Sequence, residues 1–295
     1  MDHAPPYLVL FALPVFAVLM SLEAWVILKR NLRPEARYVR WDVLASIAMG
    51  VGNLVIGALI APVVLSAMTA VHSHRLFDFK MSVPAYLVLL VLEDLAYYGF
   101  HRASHEIRFW WAGHVNHHSS EHYNLTTALR QSWTSWLSGG WVFWLPLCLL
   151  GFSPLWVTFQ IGLSLLYQYW VHTEVIHRMP SWFEYLFSTP SQHRVHHARN
   201  PRYLDKNYAG IFMLWDRMFG TYEPESKDEP VSYGITHPLK SFNPLWIAFH
   251  EWVSISQDVY KFRGMRAKFL AVFGRPSQID ALRAEQDPYQ YDTPG

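Results

Sequence analysis

Residues 85–122 read AYLVLLVLEDLAYYGFHRASHEIRFWWAGHVNHHSSEH, and the character of the chain changes partway along them. Ala85 to Phe100 is apolar enough to lie in lipid, although it falls short of the about 20 residues a crossing needs. A helix begun there continues into the polar residues beyond, which hold six histidines between 101 and 122. On that helix His101 and His105 lie four residues apart and share one face, so both imidazoles reach one metal. His114-Val-Asn-His117-His118 follows, and His193-Arg-Val-His196-His197 repeats its pattern downstream. In each of these boxes the i, i+3 and i+4 positions again predict a common helical face.

Imidazole suits zinc, copper, iron and nickel, so the donor type alone selects no metal. The number says more. Eight box histidines exceed what one four-coordinate zinc requires, and they suit two metals with open positions. His172, where an apolar segment ends, is a ninth candidate ligand. His177 lies five residues further, off that face, and is expected in solvent. His122 is an outer-sphere group or a loop residue. His3, His72, His74, His237 and His250 have no partner spacing.

Asp94, Tyr98, His101 and His105 form one stripe of the same helix. Metal-bound imidazoles donate their other N–H to a carboxylate or carbonyl, which makes Asp94 a candidate partner and Glu93 its alternative. Glu106, Glu121 and Glu174 each stand beside a candidate ligand. Spacing leaves open whether they support a ligand, touch a cosubstrate or are surface acids. Trp110, Trp111, Trp170 and Trp215 are expected as interface anchors and core.

The 295 residues are 52% hydrophobic and 16% aromatic, with 16% charged, against about 25% charged in a soluble domain. A net charge of +1 gives nucleic acid no handle. Cys148 is the single cysteine, which excludes a disulfide within the chain and a thiolate metal site. The first residues lack the basic n-region of a cleavable signal. Apolar runs are expected to form membrane helices at about Tyr7–Leu28, Val43–Val71 and Ala85–Phe100. Trp133–Leu150 and Pro154–Val171 flank a tight turn and predict a helical hairpin.

The fold class is therefore an all-α, polytopic bundle of about four to five membrane helices, capped by a histidine-box helical domain. Residues 1–84 supply the first membrane helices. Residues 85–250 form the catalytic domain, including the hairpin at 133–171. Residues 251–295 complete an amphipathic surface helix begun near 244 and end in a mobile tail from about Arg275. Lys29, Arg30, Arg33, Arg37 and Arg40 mark the first loop as cytosolic, against only Arg75 and Lys80 in the second. Counting crossings then brings all three boxes to the cytosolic side of a bacterial inner membrane or the endoplasmic reticulum.

The order HxxxH, HxxHH, HxxHH resembles the fatty acid hydroxylase/sterol desaturase superfamily over roughly residues 85–250. Within it, residues 93–132, HTEVI at 172–176, TPSQHRVHHARNP at 189–201 and DKNYAGIFMLWDRMFGTY at 205–222 are similar to the alkylglycerol monooxygenase family. That resemblance implies two non-haem irons, O₂ and tetrahydrobiopterin or another external electron donor, acting on a membrane lipid. It implies metal ligation by His101, His105, His114, His117, His118, His172, His193, His196 and His197, with Glu106 as a further functional acid. Two rivals remain, the first implied by the same resemblance. One is the same scaffold acting as a fatty-acyl or sterol hydroxylase or desaturase; the other is a non-enzymatic zinc-binding membrane protein.

Overall fold

The computed structural model describes residues 8–286. The chain enters as α1 (Leu8–Arg30), α2 (Arg40–His72) and α3 (Val83–Glu106). In each, an 18-residue window is apolar enough to cross a membrane, and 22% or less of that window is buried inside the protein. Val55, Leu59 and Val63 stand on the outside of α2. A helix that is apolar on its outer surface needs lipid rather than water around it.

At 33 residues, α2 rises about 50 Å, more than the roughly 30 Å hydrocarbon core. The excess has a use. Its first turns carry buried Asp42 and Ser46, which receive Arg130 at 3.1 and 3.4 Å. α3 starts after Ser82, whose side chain caps Ala85 N, and, as the sequence predicts, runs through both histidines of the first box.

The hairpin is present but shorter than expected. After α4 (Arg108–Trp111) and α5 (Val115–His118), Trp133–Gly139 is irregular, and a 3-10 turn over Gly140–Trp144 leads into α6 (Leu145–Leu150). Ser132 Oγ accepts from Thr134 N and Ser135 N, and Trp133 Nε1 donates to Met49 O. The Ser132 hydroxyl thus satisfies two amides that the irregular backbone leaves outside a helix. The return arm, α7 (Pro154–Tyr169), has 16 residues. Three long helices and a shorter hairpin thus stand where four to five membrane helices were expected.

At the turn, Gly151 has φ +125°, and a Cβ there would sit 2.1 Å from Phe77 O. Leu76 N donates to Leu149 O at 2.8 Å, so the tip is clasped by the loop between α2 and α3. Both the dihedral and the approach demand glycine. Gly151→Ala is expected to cost about 1–3 kcal/mol through backbone strain, measurable as a lower melting temperature in detergent. The hairpin packs on α2 and α3 through Val64, Met68, Leu89, Trp144, Leu147, Phe152 and Val157.

The opposite end carries α8 (Ser181–Leu186), α9 (Pro190–His196), α10 (Leu214–Phe219), α11 (Pro244–Lys261), α12 (Met265–Phe273) and α13 (Ile279–Gln286). Among the described residues there is no strand, only the isolated bridges Phe187–Phe212 and Ala198–Tyr233. The basic loop after α1 packs on this end: Arg33 Nη2 meets Glu174 Oε1 at 2.5 Å, and Tyr123 N donates to Glu35 O at 2.8 Å. Glu23, the lone acid of the first span, is buried and accepts from Tyr38, Thr173 and Leu125 N.

Two expectations for the C-terminal part are corrected. The amphipathic helix breaks at Gly264, whose φ is +82°, into α11 and α12. The segment from Arg275, expected to be mobile, is ordered through Gln286. Ile279 is buried there, and Arg283 bonds Asp258 at 2.8 and 3.0 Å. Residues 287–295 lie outside the described part.

Candidate metal centre

The nine candidate histidines gather in two adjacent nests at the end of α3. His101, His105, His114, His118 and His196 offer nitrogens that all lie within 4.8 Å of one another; His117, His172, His193 and His197 form the second such group. The HxxHH boxes therefore do not present a single face. In the second box, His114 and His118 serve the five-histidine nest while His117 serves the other. The third box swaps this: His193 and His197 serve the four-histidine nest, and His196 crosses over. The cause is helical geometry, because successive residues point about 100° apart. The nests touch where the His118 and His197 rings stack at 4.3 Å.

Short elements place these rings. α5 is a single turn whose N-cap is His114 itself. α9 opens with Pro190 after a capping box in which Thr189 and Gln192 satisfy each other's backbone N–H, a device that fixes the start of a helix.

Burial and mutual repulsion hold His114, His117, His118, His193, His196 and His197 well below the ordinary imidazole range. Burial brings His172 down to about 4. All seven are therefore neutral at neutral pH, the form in which an imidazole can bind a metal. For the metal-free protein the sign follows directly. Unfolded imidazoles take up protons near 6.5 and the folded ones do not, so stability present above that pH falls as pH drops toward 4. Melting curves of chelator-treated protein between pH 7 and 4 are expected to show this decline, with added metal counteracting it.

The donor set fits metal ions. His101 Nδ1–H donates to Tyr208 O at 2.8 Å, His172 Nδ1–H to Gln168 O at 2.8 Å and His196 Nδ1–H to Lys206 O at 3.0 Å. A carbonyl only accepts, so each of these rings presents a bare Nε2 lone pair. His101 Nε2 faces His114 Nε2 at 3.0 Å, and His118 Nε2 lies 3.1 Å from the same atom. In the other nest, His172 Nε2 stands 2.9 Å from His193 Nε2 and 3.2 Å from His117 Nε2. Nitrogens bound about 2.1 Å from a common metal would be about 3.0–3.4 Å apart. His196 Nε2 and His105 Nε2 are buried without a hydrogen-bond partner, an arrangement that a cation resolves.

Asp94 and Glu93 do not support an imidazole as expected. Asp94 touches no imidazole; its oxygens accept from Ile211 N, Phe212 N and Trp215 Nε1 at 2.7–3.0 Å. Glu93 accepts from Trp144 Nε1, and its other oxygen has no partner. Glu106 pairs with Arg102 at 2.8 Å and Arg275 at 3.1 Å, beside an open cavity of about 490 Å³ lined by Gly99, Ile107 and Phe273. Glu174 is held by Arg33 and Tyr233, and Glu121 by Arg199. Among the described residues the carboxylate oxygen near a box imidazole is that of Asp205, 4.0 Å from His105 Nδ1. Spacing could not single out Asp205, and the carbonyls of Gln168, Lys206 and Tyr208 leave no side-chain signal at all. His122 and His177 join neither nest, and His177 is exposed as expected.

A fatty acid hydroxylase family model matches residues 86–221. Human alkylglycerol monooxygenase is 39% identical over 278 residues, covering 94% of this chain and 61% of that protein. The zebrafish (Danio rerio) alkylglycerol monooxygenase is 46% identical over 183 residues, 62% of this chain and 40% of that protein. An ornithine lipid hydroxylase of Rhizobium tropici is 29% identical over 166 residues, 56% of this chain and 50% of that protein. No solved structure matches. The chain spans from 40% to 61% of the length of these curated relatives. Its histidine nests fall on the matched region, and over residues 86–221 the chain belongs to the fatty acid hydroxylase family.

Proposed function

We propose that the chain is a membrane-bound, non-haem di-iron oxygenase that hydroxylates a lipid C–H bond, with the ether-bearing carbon of an alkylglycerol as the leading substrate. The observation that carries this reading is the pair of touching, all-histidine nests at the end of a lipid-facing helix. His101, His105, His114, His118 and His196 would hold one metal, and His117, His172, His193 and His197 the other. Such a pair supplies O₂ activation when bound, with electrons from an external donor, tetrahydrobiopterin or another reductant.

The chain's own contribution is threefold. It keeps the imidazoles neutral, fixes the tautomers of His101, His172 and His196 through carbonyl acceptors, and keeps water out. Eight of the nine rings are buried, and only His114 is half-buried. The acyl or alkyl chain would lie against α3 and the 133–171 hairpin, entering from the bilayer. The reaction balances as C–H plus O₂, two electrons and two protons giving C–OH and water. On an ether carbon the product is a hemiacetal, which collapses to an aldehyde and a glycerol. The basic loop packed on the histidine end supports a cytosolic active site in a bacterial inner membrane or the endoplasmic reticulum.

A second reading, hydroxylation of a different lipid on the same scaffold, is favoured by the likeness to the ornithine lipid hydroxylase. Cells expressing the chain are expected to convert a labelled alkylglycerol to aldehyde-derived products. Conversion of a labelled fatty acid or aminolipid instead would reassign the substrate. One redox-inert ion per chain without O₂ consumption would replace the oxygenase reading with a zinc-binding one.

A further inference from the structure

The stretch DKNYAGIFMLWDRMFGTY at 205–222 contains no histidine, yet its backbone braces one of the nests. The Lys206 and Tyr208 carbonyls accept from His196 and His101, both members of the five-histidine group. The amides of the same segment are taken by two carboxylates with 0% exposure, Asp94 and Asp216. Tyr208 N and Ala209 N each donate to Asp216 at 2.8 Å, whereas Ile211 N and Phe212 N donate to Asp94 at 2.7 and 3.0 Å. Thr221 Oγ1 also donates to Asp216, at 2.6 Å.

Gly210 permits the close approach to α3: a Cβ there would lie 2.8 Å from the Tyr97 ring and 3.0 Å from Asp94 Oδ1. The four-histidine nest is braced differently. His172 donates to Gln168 O, the carbonyl four residues earlier in its own chain segment, and needs no second segment to supply that acceptor.

We propose that residues 206–212 are an outer-sphere strap that orients the five-histidine nest selectively, with Asp216 and Asp94 as its positioning residues. The inference rests on the two-metal reading above. The physical basis is the Nδ1–H···O=C bond, which fixes both the ring orientation and the tautomer that offers Nε2 to the metal; losing such partners typically weakens metal affinity about 10–100-fold. An aspartate can accept two amides, one on each oxygen. Asparagine offers one oxygen, and its NH₂ would confront the second amide donor.

The test is metal stoichiometry and chelator competition on the full chain purified in nanodiscs. The wild type is expected to hold two metal equivalents. Asp216→Asn is expected to keep one at wild-type affinity and release the other about 10–100-fold more readily. Combined variants locate the loss. Asp216→Asn in a His172→Ala background should weaken the metal that remains, whereas in a background lacking both braced rings, His101→Ala with His196→Ala, it should change little further. If Asp216→Asn does not insert, Thr221→Val removes one contact to the same carboxylate and is read in the same way.

Two tightly held metals in a folded Asp216→Asn variant, or equal weakening of both, would overturn the strap. A wild type that never binds two metals would instead overturn the reading beneath it. The two failures are therefore distinguishable.

Discussion

His117→Ala and His118→Ala are expected each to abolish lipid oxidation, but by depleting different metals. The residues are neighbours in sequence, yet His117 sits with His172, His193 and His197, and His118 with His101, His105, His114 and His196. Losing one imidazole leaves three donors in the smaller nest and four in the larger. His117→Ala should therefore empty its site more completely, while the five-histidine site retains part of its metal in His118→Ala. Both turnover losses are expected to be on the order of 10³-fold or more, beyond the 10–100-fold typical of outer-sphere changes. Metal analysis and steady-state oxidation measured on the same preparations check this. Identical metal loss in the two variants would argue against two separate nests.

Arg194→Met is expected to have the largest effect on stability. Arg194 lies between His193 of the four-histidine nest and buried Val195, and is itself 1% exposed. It donates to both Glu225 oxygens at 3.0 and 2.7 Å. It also donates to the carbonyls of Thr173, Ile176 and His177 at 2.6–3.1 Å. The guanidinium thus ties the third box to the segment that follows His172. Methionine fills much of the volume but leaves one carboxylate and three carbonyls without their donor. Breaking a buried pair from one side costs about 3–5 kcal/mol. At about 2–4 °C per kcal/mol, the melting temperature should fall by roughly 6–20 °C. The exposed Arg199–Glu121 pair provides a control, since such surface pairs contribute about 0–1 kcal/mol. A comparable loss from Arg199→Met would show that the bonding of Arg194 is not the cause.

Some of this architecture is legible in the residues because its cause is local. Continuous apolar runs predicted α1, α2 and α3 to within a few residues, since lipid accepts only backbones that satisfy themselves. The Gly151-Phe152-Ser153-Pro154 turn marked the hairpin tip, where a positive φ selects glycine. His172 stood at the end of an apolar segment and proved to be the residue that closes the smaller nest. The breaks were harder to see. Gly264 splits a continuous amphipathic pattern, and α13 is held by Arg283 reaching back to Asp258, a pairing that no local periodicity announces.

The histidine stretch at 85–122 by itself determined a helical, membrane-embedded chain that gathers imidazoles at a helix end, because helix period and hydrophobic length are properties of neighbouring residues. Only the tertiary structure decided how those imidazoles divide. His117 and His118 part because one turn of helix aims them at different neighbours, and His196 parts from His197 in the same way, its ring 4.4 Å from that of His101. The partner of His101 turned out to be a carbonyl 107 residues away rather than the carboxylate of Asp94 on its own helix. A backbone carbonyl is present at every position of every sequence, so which of them faces a ring is settled only when distant segments pack together.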